Sequence, residues 1–267
     1  MTSFVHANDV FTTEIRTGGV SGSVVSNTTN SPITGGGAQT VAGVVGTYSA
    51  SGVYQGALAT TYTITESISG STTLNNQYDT AISCTNAYVA STTVLPTTYS
   101  YTTGADISPV SGDDISCTLT NSVKQPLVRV HKTVSSLVSV ADRFTTQLRT
   151  GGVSGTVVSG TTNSATIGGG VVTTGGAGTY SASGSYQATA ATIYTITEAI
   201  TAGTSNLGQY TTTISCSNAR AGATTVLPTT APFNLTPAAG DDISCTLTNI
   251  ANPVSYTHLT LPTKRIV

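Results

Sequence analysis

The chain has 267 residues, which is enough for one large domain or two ordinary ones. Only 7% of the residues are charged and the net charge is −2, so the chain lacks the basic surface that binds nucleic acid or anionic membranes. It also has no apolar run near the roughly 18 residues that a membrane-spanning helix needs, and we expect no membrane insertion. Thr, Ser, Gly, Ala and Val dominate a sequence without Trp, which is typical of β-sheet proteins.

The two halves of the chain repeat each other. Gly112–Asn121 is identical to Gly240–Asn249, and other matching segments lie at nearly the same separation. A period of this length indicates tandem domains, and small differences in spacing indicate insertions in surface loops. We therefore predict one domain at 1–126 and a second at 127–253.

In the second copy, alternating apolar and polar residues predict strands separated by clusters of Gly, Asn and Pro. Short strands at this spacing favour antiparallel sheets packed face to face over parallel βαβ units. The expected fold is all-β, with two tandem antiparallel β-sandwiches and little helix. The predicted strands lie near residues 127–134, 143–149, 153–159, 178–186, 192–199, 209–218, 223–227, 232–236 and 242–249.

Several motifs that suggest other functions have structural interpretations. Gly35–Gly37 and Gly168–Gly170 look like phosphate loops, but no Gly-Lys-Ser/Thr follows, so we interpret both as hairpin loops. The pairs Asp113–Asp114 and Asp241–Asp242 are interpreted as turn residues and not as calcium ligands, because no further ligand series surrounds them. The three histidines lack metal-ligand spacing, and neither a metal nor a cofactor is expected.

The four cysteines occur as one pair in each copy. Each lies on the inward parity of its predicted strand, and inward cysteines on neighbouring strands can reach bridging distance. We predict that Cys84 pairs with Cys117 and Cys216 with Cys245, with buried free thiols as the alternative. Such pairs favour an oxidising compartment, and we expect an extracellular or cell-surface location.

The two ends of the chain differ from the repeats. Val254–Thr263 resembles a translated sequencing adapter, so residues 254–267 are expected to be a non-native tail. At the other end, Ser3–Phe11 aligns with Ser136–Phe144. We therefore expect the first copy to lack the equivalent of Leu127–Thr133, its first strand.

Polar side chains are predicted on the inward faces of strands. In the second copy, Lys132 lies in the apolar register of the first strand, Glu198 ends a middle strand and Asn249 lies on the last strand. The first copy has Glu66 and Asn121 at the matching positions. A carboxylate on an apolar face is costly unless it is neutral or well partnered, so we expect these groups to meet.

A first-strand Lys, a middle strand of the pattern Tyr-x-hydrophobic-x-Glu and a last-strand Asn resemble the prealbumin-like domains of bacterial surface proteins. These domains are of the SpaA pilin and collagen-adhesin B-region type. The resemblance covers both copies and implies a prealbumin-like or immunoglobulin-like sandwich. It departs from the family in that Pro-x-Gly-Tyr appears as Leu207–Tyr210, and in the cysteine pairs, which many members lack.

The resemblance implies an intramolecular isopeptide bond between Lys132 and Asn249, with Glu198 as the proton shuttle. Burial in an apolar sandwich favours a neutral amine and a protonated acid, which can polarise the Asn carbonyl and pass protons to the departing ammonia. In the first copy the Lys is missing, so Glu66 and Asn121 would remain idle and unpaired. The alternative is an ordinary strand lysine, a capping Glu and a turn Asn.

The resulting functional hypothesis is a structural stalk module of a secreted or cell-surface bacterial protein. No catalytic arrangement for an external substrate recurs in both copies, so we do not expect an enzyme. The expected partners are neighbouring repeats of the same parent protein. The alternative is an adhesin domain that binds a host or environmental surface ligand through loops such as 97–111, where Tyr99 and Tyr101 occur only in the first copy.

Overall fold

The computed structural model consists of β-strands and short 3₁₀ helices. Within the part of the chain that it describes, no helix is long and apolar enough to cross a membrane. The Gly-rich segments Gly35–Gly37 and Gly168–Gly170 and the tail 254–267 lie outside that part. The described residues are 4–30, 39–42, 54–163, 172–175 and 186–253.

The chain divides into two compact units, one built mainly of residues 1–126 (repeat 1) and the other mainly of residues 127–267 (repeat 2). In repeat 1, one sheet has the strand order β3-β2-β1-β4-β6 and the other pairs β5 with β7. All of these pairs are antiparallel. The strands are β1 (Val10–Thr17), β2 (Ser23–Asn30), β3 (Gln39–Ala42), β4 (Tyr62–Ser69), β5 (Tyr78–Asn86), β6 (Ala105–Ile107) and β7 (Ile115–Val123).

Repeat 2 has the matching five-stranded sheet, in the order β11-β10-β9-β13-β15, and a second sheet in the order β12-β8-β16-β14. The predicted all-β fold with tandem antiparallel sheets is confirmed. The strands are β8 (Leu127–Val134), β9 (Arg143–Thr150), β10 (Thr156–Asn163), β11 (Val172–Gly175), β12 (Tyr186–Gln187), β13 (Tyr194–Ala202), β14 (Tyr210–Asn218), β15 (Phe233–Leu235) and β16 (Asp242–Ala251).

Two predicted strands of repeat 2 differ from the structure, and a third lies almost entirely outside the described residues. The segment 223–227 has irregular backbone, and its Val226 side chain is 85% exposed, so its apolar residues do not pair into the sheet. The strand predicted from residue 153 begins at Thr156, because Gly155 closes a turn so tight that a Cβ there would lie 1.7 Å from a backbone oxygen. Of the strand predicted at 178–186, only the last residue is described, and it belongs to β12.

The core of repeat 2 lies between its two sheets. Alternate residues of each strand point inward, and many inward side chains of β9, β13 and β16 are fully buried. Residues such as Leu148, Ile196 and Leu247 are at most 1% exposed. In repeat 1 the corresponding core is formed by Ile64 and Ile82 with neighbouring apolar residues.

Each repeat contains one disulfide between two paired strands. Cys84 of β5 lies opposite Cys117 of β7, with their Cα atoms 4.1 Å apart and their sulfur atoms bonded. Cys216 of β14 and Cys245 of β16 are bonded in the same way across 4.0 Å. These are the pairs expected from the strand parities.

Candidate functional site

The candidate site of repeat 2 is a buried cluster of Lys132, Glu198 and Asn249. Lys132 lies on β8 and Asn249 on β16, which are neighbours in one sheet, whereas Glu198 lies on β13 of the facing sheet. All three occupy inward positions of their strands. The side chains of Lys132 and Glu198 are 0% and 5% exposed, and Asn249 is fully buried.

The carboxyl group of Glu198 contacts the other two side chains, one with each oxygen. Nζ of Lys132 lies 2.8 Å from Oε1. Nδ2 of Asn249 donates a hydrogen bond of 3.0 Å to Oε2, and the Thr212 hydroxyl donates a weaker one of 3.4 Å to the same oxygen. The amine and the amide are therefore held against a single acid.

The amine of Lys132 also donates a 3.1 Å hydrogen bond to the backbone carbonyl of Thr133, and it lies over an aromatic ring. The ring of Phe144 lies below the amine, with Nζ 4.8 Å from the ring centroid. Burial lowers the pKa of Lys132, and the attraction of Glu198 offsets part of that effect. A lysine in such a site gives up its proton more readily than one in water.

The amide of Asn249 presents its nitrogen to Glu198, whereas the sequence analysis expected its carbonyl oxygen there. The carbonyl oxygen Oδ1 is buried, and it accepts no hydrogen bond from the described residues. The nitrogen that would leave in an amide exchange is thus the atom closest to the acid.

A cleft opens beside this cluster. It is lined by Glu198 and Thr212 and by residues 229–233, the last of which begins β15. The cluster is therefore buried between the sheets, and the cleft adjoins it at the acid.

In repeat 1 a tyrosine contacts the acid. Nδ2 of Asn121 donates a 3.0 Å hydrogen bond to Oε1 of Glu66, which matches the contact in repeat 2. The hydroxyl of Tyr101 lies 3.3 Å from the other carboxyl oxygen of Glu66 and 3.3 Å from Oδ1 of Asn121. Thr80 is the equivalent of Thr212, and its hydroxyl forms a hydrogen bond with the hydroxyl of Tyr101. The Tyr101 side chain thus lies where repeat 2 has its cleft.

A second tyrosine of the same loop supports this arrangement. The backbone N–H of Glu66 donates a 2.7 Å hydrogen bond to the hydroxyl of Tyr99, whose ring packs edge to face against Tyr101 with centroids 5.3 Å apart. Both tyrosines of the 97–111 loop therefore point into the repeat. Burial raises the pKa of Glu66 to about 7, although its hydrogen bonds to Asn121 and Tyr101 oppose that effect.

Sequence reasoning missed the role of these tyrosines and that of a buried Asp-Tyr pair in each repeat. The hydroxyl of Tyr78 donates a 2.6 Å hydrogen bond to Asp9 and accepts one of 2.7 Å from the backbone of Val5. Tyr210 bonds to Asp142 in the same way. The signal was present, because the Asp and the Tyr recur at matching positions of both copies.

One aspartate of each predicted pair accepts a hydrogen bond from the backbone of its own turn. Asp113 accepts 2.8 Å hydrogen bonds from the backbone N–H of Val110 and from Nδ2 of Asn86. Asp241 accepts one of 2.7 Å from the backbone of Ala238. In the described ranges, no three His, Cys, Asp or Glu side chains form a cluster that could hold a metal ion.

Comparison with known proteins identifies a family. The model of the prealbumin-like fold domain matches residues 2–123 and again residues 127–251. Similar solved structures include the major pilin protein (T-13) of Streptococcus pyogenes, at 14% identity with 94% of each chain covered and a TM-score of 0.29. Another is the major pilin protein (T3.2) of the same species, at 12% identity with 91% of this chain and 90% of that chain covered and a TM-score of 0.29. With scores this low, the assignment rests on the family match. No curated protein matches the chain.

Proposed function

Because the chain belongs to the family of prealbumin-like fold domains, we propose that it is a structural module of a secreted or cell-surface protein. Its repeats, at 1–126 and 127–253, would act as consecutive rigid units of a stalk. The observation that carries this proposal is the buried cluster of Lys132, Glu198 and Asn249, which has the groups needed to join the first strand of repeat 2 to its last.

The proposed reaction is an amide exchange within the chain. Nζ of Lys132 attacks Cγ of Asn249, a new C–N bond forms, and the bond from Cγ to Nδ2 breaks to release ammonia. The reaction occurs once in each molecule, so the product is a covalent crosslink and no external substrate is turned over. Folding brings the groups together and supplies the high effective concentration that the uncatalysed reaction lacks.

Glu198 balances the protons of this exchange. Oε1 takes a proton from the lysine amine at 2.8 Å, which makes the amine a nucleophile. Oε2 lies 3.0 Å from the nitrogen of Asn249 and delivers a proton to it as ammonia departs. The amine loses two protons in all, of which one leaves with ammonia and the other remains on Glu198.

The cleft beside Glu198 suits the departure of ammonia. It adjoins the acid and Thr212 and opens between the sheet and residues 229–233. In repeat 1 the equivalent region holds Tyr101, whose hydroxyl can donate a hydrogen bond but is not a primary amine. We therefore propose a covalent crosslink in repeat 2 and hydrogen bonds alone in the described part of repeat 1.

A crosslink between the first and last strands suits a protein under tension. Force applied to the two ends of repeat 2 would pass through the Lys132 to Asn249 bond, and the residues between them would remain folded. The disulfides support an oxidising location outside the cell. Neighbouring repeats of the parent protein are the proposed partners. The inward direction of Tyr99 and Tyr101 favours a structural role for the 97–111 loop over ligand binding.

Single-molecule extension of the chain with reduced disulfides tests this function. Without a crosslink, unfolding of repeat 2 releases the segment between Lys132 and Asn249, which is roughly 400 Å long at ~3.4 Å per residue. We expect the wild-type chain to lack that extension and the Glu198→Ala variant to show it. A wild-type trace with the full extension would contradict the proposal.

A further inference from the structure

The carbonyl oxygen of Asn249 is buried, and it accepts no hydrogen bond from the described residues. The nitrogen of the same amide is bonded to Glu198. A buried carbonyl oxygen without a donor is costly, and native proteins rarely leave one in that state. This oxygen therefore marks a position where a hydrogen-bond donor could act during the proposed reaction.

Negative charge develops on this oxygen when the amine attacks. As Nζ of Lys132 bonds to Cγ of Asn249, the π electrons of the carbonyl group move to Oδ1. They return when the bond from Cγ to Nδ2 breaks. Glu198 contacts the nitrogen of the amide and not this oxygen. A separate donor aimed at Oδ1 would lower the barrier, as the donors of an oxyanion hole do in acyl transfer.

Thr212 is the neighbour of Asn249 on the adjacent strand. The two residues lie directly opposite each other in the pairing of β14 with β16. Side chains at such positions share a face of the sheet, with Cβ atoms about 5 Å apart. The hydroxyl of Thr212 donates to Oε2 of Glu198 at 3.4 Å, and Nδ2 of Asn249 donates to the same oxygen at 3.0 Å. Because a bond of 3.4 Å is long for a hydroxyl donor, turning the hydroxyl toward Oδ1 gives up little.

Repeat 1 shows the contact that this turn would make. Thr80 and Asn121 lie opposite each other on β5 and β7, as Thr212 and Asn249 do on β14 and β16. There the threonine hydroxyl donates a hydrogen bond to Oδ1 of the asparagine. The asparagine nitrogen is bonded to Glu66, so the amide has the same orientation in both repeats.

We propose that the Thr212 hydroxyl donates a hydrogen bond to Oδ1 of Asn249 and stabilises the negative charge that forms there during amide exchange. This inference rests on the proposed crosslinking reaction and gives it a second catalytic group beside Glu198. The hydroxyl keeps its proton throughout, so the proton balance of the exchange is unchanged. The acid and the hydroxyl thus divide the work, with the acid at the amide nitrogen and the hydroxyl at the amide oxygen.

The test follows crosslinking in time by intact mass. The full chain is made by cell-free synthesis under oxidising conditions, synthesis is stopped, and aliquots are denatured and reduced at intervals. Crosslinked chains are lighter by one ammonia. Thr212→Val keeps the shape of the side chain but lacks the hydroxyl, so it should lose ammonia on the order of a hundredfold more slowly than the wild type.

Two further variants show whether the hydroxyl is responsible. Thr212→Ser retains the donor and should react at a rate near that of the wild type. The matched control is Thr213→Val, because Thr213 is exposed on the same strand, and it should also react at the wild-type rate. Thr212→Ala is a second variant without the hydroxyl and should be as slow as Thr212→Val. Equally slow reactions of Thr212→Ser and Thr212→Val would overturn the role of the hydroxyl.

Hydrogen exchange separates this role from a structural one. The Lys132→Met chain cannot form the crosslink, so its exchange reports on strand pairing alone. Adding Thr212→Val to that chain should leave exchange at 210–218 and 242–251 unchanged. Faster exchange there would assign the slow reaction to a loosened pair of strands and would overturn the proposal.

The outcomes also separate this proposal from that of the crosslink itself. A folded wild-type chain that never loses ammonia would reject both. Loss of ammonia at the same rate from the wild type and from Thr212→Val would reject only the role of Thr212.

Discussion

The hydroxyl of Tyr101 lies 3.3 Å from a carboxyl oxygen of Glu66, on the side of the acid where repeat 2 has its cleft. The buried carboxyl group therefore has different partners in the two repeats, a lysine in repeat 2 and a tyrosine in repeat 1. In repeat 2 the amine of Lys132 lies 2.8 Å from the carboxyl group of Glu198. In repeat 1 a hydroxyl from the 97–111 loop contacts the acid by hydrogen bonding.

This contact predicts the effect of Tyr101→Phe. The variant keeps the packing of the ring but removes a donor from a half-buried cluster, so repeat 1 should lose about 1 kcal/mol of stability. Hydrogen exchange of peptides from 78–86 and 115–123, followed against urea, measures that loss within repeat 1. Tyr88→Phe is the matched control, because the Tyr88 side chain is 41% exposed and should change stability little. Equal exchange in both variants would rule out a stabilising role for the hydroxyl.

The stability of repeat 1 should fall as the pH rises. The pKa of Glu66 is about 7 in the folded protein, against an ordinary value of 4.5. Between these values the folded state binds a proton that the unfolded state has lost, so stability decreases from about pH 4.5 to 7 and levels off above. At about 1.4 kcal/mol per pKa unit the loss is on the order of 3 kcal/mol.

The Glu66→Gln variant isolates this effect, because Gln is neutral and can retain the hydrogen bonds to Asn121 and Tyr101. Stability of repeat 1 is measured by urea unfolding at several pH values. The difference between wild type and variant should change through this pH window and stay constant above it. A difference that is constant from pH 4 to 8 would show that folding does not raise the pKa of Glu66.

The disulfide of repeat 1 should contribute substantially to its stability. It closes a loop of 33 residues, and loops of this size correspond to roughly 3 to 4 kcal/mol. Replacing Cys84 and Cys117 together with alanine should therefore speed hydrogen exchange throughout β5 and β7. The same double replacement of Cys216 and Cys245 is the control and should leave exchange in repeat 1 unchanged. No effect on β5 and β7 would mean that the strand pairing alone holds this sheet together.

Much of the fold could be predicted because strand alternation is a local property of the sequence. The inward parity of Lys132, Glu198 and Asn249 follows from counting residues along each strand. The opposition of Cys216 and Cys245 follows in the same way. The segment 223–227 shows the limit of this approach. Its apolar and polar residues alternate as in a strand, but it pairs with no neighbouring strand among the described residues.

The features that sequence reasoning missed depend on contacts between distant segments. The path of a loop is set by what it packs against, so the inward direction of Tyr101 could not be read from its composition. The orientation of the Asn249 amide depends on the acid that faces it from another sheet.

The most direct test of the central proposal is the intact mass of the folded chain after full reduction of its disulfides. We expect the wild-type chain to be lighter than its sequence by one ammonia, and peptide mapping to join the segments that contain Lys132 and Asn249. The Glu198→Ala variant should have the full mass, and Glu66→Ala should remain one ammonia lighter. A folded wild-type chain with the full mass of its sequence would contradict the proposed crosslink.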